Sequence, residues 1–406
     1  MTAGRAPLPF VTVVAAAFSL PVVILPVASG SVTAPAVCSS SIAPPPQVAE
    51  LPWPQRRNPP EQVNKLTTGA GVTVAVIDSG VDDDHPQLRG RVAPGADFLD
   101  TGDGRTDCVG HGTAVAGLIA ARPLPGVGFA GLAPDARILP VRVSEQQVVE
   151  GRESGRTVTA PGFAEAIRWA VDHDADVLNL SVVIYQDHPA VRSAVAHALS
   201  NDVVVVAAAG NLHTDGARPD PIPYPASYTG VIGVGAIGPD GARGSFSQVG
   251  PYVDVVAPGA EVLSAAPGGG HRSQSGTSYA VPFVAATAAL VRAYQPTLSA
   301  PEVAARILAT TDPTPATGRD SGYGSGAVNP YRAVTETPHT APAAPTPSTE
   351  APAPTTPTAA AVGATPAAAA RHRAIWLAAA TVGAAVLILL VAASLPRRTR
   401  HPRHPA

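Results

Sequence analysis

The chain has 406 residues, a formal net charge of −3 and 14% charged residues. With no basic stripe outside the C-terminal tail, that balance argues against a nucleic-acid partner. The length admits two ordinary domains, but both ends have compositions that no packed core uses, so the folded part is shorter than the chain.

In chain order, Arg5 precedes an apolar stretch from Leu8 to Val27, and Ala34-Pro35-Ala36 offers a small-residue cleavage site. Residues 1–36 therefore read as a secretory signal peptide; Pro21 and Pro26 interrupt the stretch and disfavour the alternative of an N-terminal anchor. Val37 stands before Cys38 where a lipidation signal wants a small residue, so lipidation is set aside. Cys38 and Cys108 are the two cysteines. An exported chain meets an oxidising compartment, and a disulfide between them is the economical reading against two free thiols; a metal site would need more ligands. Residues 37–63 form a proline-rich arm, with seven prolines between Ala43 and Pro60, expected to be a tether more than a helix or strand.

Residues 64–334 carry the globular body. Apolar runs at Val72 to Ile77, Ile138 to Val143, Val177 to Leu180, Val203 to Ala208 and Val231 to Val234 alternate with helical stretches at Thr113 to Ala121, Pro161 to His173 and Ala190 to Leu199. Short apolar runs bounded by helices predict an α/β fold, three layers with a mainly parallel central sheet covered on both faces. Asp82-Asp83-Asp84-His85 invites a calcium reading, but consecutive acids on a turn are more often solvated, and no metal or cofactor is expected.

After the body, residues 335–373 are dominated by Pro, Thr and Ala, a stalk that cannot bury enough apolar surface to fold. Ala374 to Leu395 is 22 residues without a charge, long enough to cross about 30 Å of hydrocarbon. One C-terminal transmembrane helix is expected, with residues 396–406, carrying Arg397, Arg398, Arg400 and Arg403, as a basic cytoplasmic tail and the body outside.

Three segments carry chemistry. Val74-Ala75-Val76-Ile77-Asp78-Ser79-Gly80 delivers a carboxylate at a strand end; Gly110-His111-Gly112-Thr113 and Gly276-Thr277-Ser278-Tyr279 place a histidine and a serine at helix starts. Their order, Asp then His then Ser, resembles the subtilisin family. Ala207-Ala208-Ala209-Gly210-Asn211, Ser245 to Gly250 and Val256-Ala257-Pro258-Gly259 are similar to that family's blocks, and the resemblance runs from about Thr73 to Val334. It implies a serine endopeptidase acting on a protein or peptide, with Asp78, His111 and Ser278 catalytic and Asn211 in the oxyanion hole. It also implies substrate binding along Ser181, Val182 and Val183 and beside Ala208 and Gly210. Bulky residues stand in the segment from Ser181 to Ile184 where relatives usually show glycines, which implies a restricted substrate preference. The proline-rich arm, the cysteine three residues before His111, the stalk and the C-terminal helix together resemble the mycosins. Those are membrane-bound subtilisin-like proteases of actinobacterial type VII secretion systems. That likeness implies a single-pass protein of the cell membrane, partnered with a secretion complex and processing exported proteins, or chiefly stabilising that complex; a general surface peptidase is the weaker alternative.

Overall fold

Strand β1 (Thr73–Asp78) reads TVAVID and is buried from Val74 onward. Val74 and Val76 belong to one core cluster, Ala75 and Ile77 to another. Alternate side chains of a strand point to opposite faces, so a run apolar at every position needs cover on both. The computed structural model supplies that cover, and it describes residues 45–149, 152–214, 219–315 and 320–337.

The first half of the body holds α1 (Trp53–Arg57), α2 (Pro60–Val63), β1, β2 (Ala96–Asp97), α3 (His111–Ala120), β3 (Arg137–Arg142), β4 (Gln147–Val149), β5 (Arg152–Ser154) and α4 (Ala160–Asp172). There follow β6 (Val177–Leu180), α5 (Pro189–Ser200), β7 (Val204–Ala208), β8 (Ile232–Ile237), β9 (Val255–Pro258), β10 (Val262–Ala265), β11 (His271–Gln274), α6 (Val281–Tyr294), α7 (Ala300–Ala309) and α8 (Pro330–Thr335). Seven strands form one sheet in the order β2-β3-β1-β6-β7-β8-β9, parallel throughout. Helices α3, α6, α7 and α8 cover one face and α4 and α5 the other. The α/β expectation is met, and each predicted run or helix lies within two residues of an observed element or inside it.

The strand order places the site. The chain moves from β1 outward to β3, then returns to β6 on the other side of β1. Between β1 and β6 the connections diverge, and such a switch point opens a crevice at the carboxyl ends of the strands. Asp78 is the last residue of β1, and Ser181 follows the last residue of β6.

The arm departs from its expectation as a simple tether. Trp53–Arg57 is helical, with prolines only in the first turn, where a missing N–H costs nothing. The Trp53 indole donates to the carbonyls of Ala260 and Glu261 at 3.2 and 3.0 Å, and Gln55 donates to Ala130 at 3.0 Å. Ahead of α1, the Val48 N–H donates to His271 Nδ1 at 3.1 Å, its carbonyl accepts from Gly128, and Pro46 accepts from the His271 N–H. Docked against the body, five residues form a helix that would be marginal alone.

His85 also departs from the solvated reading of its acidic turn. It is buried, its Nε2 facing the Gly270 carbonyl at 3.2 Å and its Nδ1 accepting from the Gln87 N–H. Asp82 receives N–H groups of Asp84 and Gly268.

The signal peptide, Cys38, the stalk, the apolar segment 374–395 and the basic tail lie outside the described residues. Among the described residues no helix is long and apolar enough to cross a membrane.

Candidate active site

Asp78 is 2% exposed and its Oδ1 does two jobs: it accepts the Ser79 N–H at 2.7 Å and faces His111 Nδ1 at 2.7 Å. The second contact requires a proton on Nδ1, which leaves Nε2 as the basic nitrogen. His111 is the first residue of α3, with Gly110 before it in the left-handed region at φ 89°. Gly112 lets the helix start approach β1: a Cβ there would lie 2.0 Å from the Gly80 carbonyl oxygen. A larger residue would push His111 away from Asp78.

A second carboxylate fixes the same helix start. Asp107 accepts from the N–H groups of Val109, Gly110 and Thr113 and from the hydroxyls of Ser79 and Thr113, at 2.6 to 3.1 Å. Ser79 in turn accepts the Gly112 N–H at 2.9 Å, joining the residue after Asp78 to the residue after His111. Burial pushes the Asp107 carboxyl up from its ordinary range, opposed by these hydrogen bonds. Five donors aimed at it favour its ionised form against that burial. Burial by itself lowers the pKa of His111, but the charge and hydrogen bond of Asp78, with a smaller contribution from Asp107, leave it raised. The pair thus favours imidazolium.

Ser278 lies in a single 3-10 turn, Thr277–Tyr279, that runs into the buried helix α6. Its Oγ donates to the Ser181 carbonyl at 3.2 Å, and Ser181 Oγ donates back to the Ser278 carbonyl at 3.1 Å. The Tyr279 ring packs on His111, with centroids 5.1 Å apart. Asn211 follows Gly210 at the end of β7, and its Oδ1 accepts both the N–H and the hydroxyl of Thr277, at 2.8 and 2.9 Å. The acceptor end is used up one residue before Ser278. The Nδ2 donors are left for the cleft, 3.6 Å from where a Cβ on Gly276 would stand.

The residues predicted for substrate binding divide. Ser181 is 7% exposed and tied to Ser278. Val182 and Val183 are half-buried, Val183 packed on the α6 side of the sheet and Val182 with Ile184 on the other. Ala208 is wholly buried and serves the core, since it ends a strand covered on both faces. Gly210 sits at φ 92°, where a Cβ would lie 2.1 Å from Gln248 Oε1. Three contributors went unread in the sequence: Asp107, Tyr185 and Gln248. Gln248 lies in a segment similar to a family block, but nothing local reveals its partners or those of Asp107. Cys38, the expected disulfide partner of Cys108 beside Asp107, lies outside the described residues.

Residues 69–326 match the subtilase family of S8 peptidases. The chain belongs to that family. It is therefore a subtilisin-like serine endopeptidase. It is similar to an intracellular serine protease of Paenibacillus polymyxa, with 36% identity over 276 residues, 66% of this chain and 82% of that one. It is similar also to mycosin-4 of Mycobacterium tuberculosis, with 38% identity over 308 residues, 68% of this chain and 67% of the relative. Among solved structures, that of the serine protease MycP1, described as an essential component of the type VII (ESX-1) secretion system, aligns with a TM-score of 0.61 and 34% identity. The alignment covers 72% of this subtilase and 92% of that chain.

Proposed function

We propose that this subtilase is a membrane-anchored endopeptidase of mycosin type, processing exported proteins beside a type VII secretion complex. The observation that carries the reading is the likeness to mycosin-4 and to MycP1, an essential component of such a system. The arm docked along the body, the stalk composition and the apolar segment 374–395 support it.

In this reading Ser278 Oγ attacks the scissile carbonyl, leaving its resting bond to Ser181, and His111 Nε2 takes the proton and returns it to the leaving amine. Asp78 holds the Nδ1–H tautomer and stabilises the imidazolium. Asn211 Nδ2 and the Ser278 N–H receive the oxyanion, where donors already in place cost no reorganisation. Cys108 pairs with Cys38, tying the arm to the loop that carries Asp107; thiol alkylation of the unreduced mature protein is expected to modify neither residue, and two modified thiols would refute the bridge.

The test uses the full chain in cells lacking the original gene. The wild type is expected in the membrane fraction, restoring both secretion and cleavage of an exported protein. Ser278→Ala is expected to leave that protein uncleaved. Secretion unaffected by deleting the gene would refute the secretion role. Cleavage that persists with Ser278→Ala would refute the processing role, and a chain that remains soluble would refute the anchor.

A further inference from the structure

We propose that Tyr185 closes the pocket for the side chain next to the scissile carbonyl, so that this enzyme cleaves after small uncharged residues and rejects bulky ones. The inference rests on the peptidase reading of the cleft.

The site of attack fixes where the peptide runs. Ser278 Oγ and Asn211 locate the carbonyl, and the chain on its acyl side needs a backbone to pair with. Ser181 is pinned to Ser278, and Ile184 is paired in both directions with Tyr224, at 2.9 and 2.8 Å. Between them, the Val182 and Val183 backbone forms no hydrogen bond among the described residues, an open edge two residues long to which an extended peptide can add. The side chain nearest the attacked carbonyl then enters the gap between this edge and the end of β7 at Gly210 and Asn211.

Tyr185 spans that gap. Its hydroxyl donates to Gln248 Oε1 at 3.0 Å, and its oxygen lies 3.1 Å from where a Cβ on Gly210 would stand, one residue before Asn211. Gln248 is a rigid anchor: it is wholly buried, its N–H donates to the Gly210 carbonyl at 3.1 Å, its Oε1 also accepts the Leu212 N–H at 3.3 Å, and its Nε2 donates to the Pro221 carbonyl at 2.6 Å. The valines that seemed in sequence to crowd this pocket pack instead toward the core, and the tyrosine beyond them, 38% exposed, stands in the opening.

Among the described residues, the groups attached to Gln248 beside the phenol are apolar or already paired. Leu212 and Ile222 are 52% and 53% exposed and attach to either side of Gln248 through their own or a neighbouring backbone. His213 and Asp220, next in sequence, pair with each other at 2.8 Å. Among the described residues a charged side chain would meet only groups already paired with each other, and a bulky one would have to displace the phenol from its anchor. A pocket able to take alanine, glycine or serine is what remains.

The test measures covalent labelling of Ser278 in the full chain by two peptidyl diphenyl phosphonates that differ only in carrying an alanine-like or a phenylalanine-like group beside phosphorus. The wild type is expected to react with the first on the order of 10–200-fold faster, the range that pocket fit supplies. Tyr185→Ala is expected to bring the two rates within about threefold, with the bulky probe gaining. Tyr185→Phe, which keeps the ring and loses the hydrogen bond, is expected to keep most of the preference. Equal rates in the wild type, or a preference untouched in Tyr185→Ala, overturn the proposal. A simple fluorophosphonate separates the failures: a chain it labels without size preference sinks the pocket alone, and a chain it cannot label sinks the peptidase reading beneath it.

Discussion

Ser278→Ala is expected to lower kcat on a peptide substrate by about 10⁶-fold, a magnitude known from subtilisin itself, and adding His111→Ala is expected to lower it little further. The reason lies in how the groups depend on one another. A serine hydroxyl is a poor nucleophile at neutral pH until a base takes its proton, and His111 has no proton to take once the hydroxyl is gone. At rest Ser278 Oγ donates to the Ser181 carbonyl, at 3.2 Å; in the proposed mechanism it turns to His111 for attack. Residual rate in both variants would come from Asn211 and from binding. Steady-state rates of the two single variants and the double variant decide the matter. If the losses multiply, the residues do not act as a unit and the assignment of base and nucleophile fails.

The second large effect concerns the arm and pH. His271 is 4% exposed, its Nδ1 accepts the Val48 N–H at 3.1 Å, and its Nε2 faces Gln87 Oε1 at 2.7 Å. Both contacts need the neutral ring with its proton on Nε2. The Phe129 ring lies 5.0 Å from it, and the His85 ring 6.3 Å. Burial first, then the neighbouring His85, hold its pKa down to about 4, against 6.5 for the free side chain; burial lowers that of His85 too. A histidine lowered in the folded state contributes stability that is complete above the unfolded value and is lost as pH falls toward the folded one. From His271 alone the loss is about 2 kcal/mol by pH 5 and about 3 kcal/mol by pH 4. Protonation also places an N–H against the Val48 N–H, so the arm is expected to leave first. Urea unfolding of wild type and His271→Gln between pH 7.5 and 4.5, with proteolysis of the arm followed alongside, measures both. A wild type no more sensitive to this pH range than the variant would refute the assignment.

Much of this protein is legible before any coordinates. The buried strands announce themselves because a parallel sheet covered on both faces needs apolar residues at every position, as in Val74 to Ile77 and Val177 to Leu180. Short edge and hairpin strands, such as β2 and β4, stay hidden because two or three residues hold no periodicity. The arm helix was misread since its prolines signal a loop, and the contacts that make Trp53–Arg57 helical come from Ala130, Ala260 and Glu261, far along the chain.

Asp78, His111, Ser278 and Asn211 could be proposed from the sequence because each sits in a local motif whose turn or helix start fixes its direction. The sequence by itself therefore determined the fold class, the family and the groups capable of the chemistry. Only the tertiary structure decided how those groups are held: the Asp107 and Ser79 link between β1 and α3, the histidine that clasps the arm, and the tyrosine bonded to Gln248 beside Gly210. The physical reason is the same in each case. A covalent chain records which residues are neighbours along it, whereas a hydrogen bond from Tyr185 to Gln248, or from Val48 to His271, joins residues 63 and 223 positions apart, a closeness that exists only once the sheet and its layers have formed.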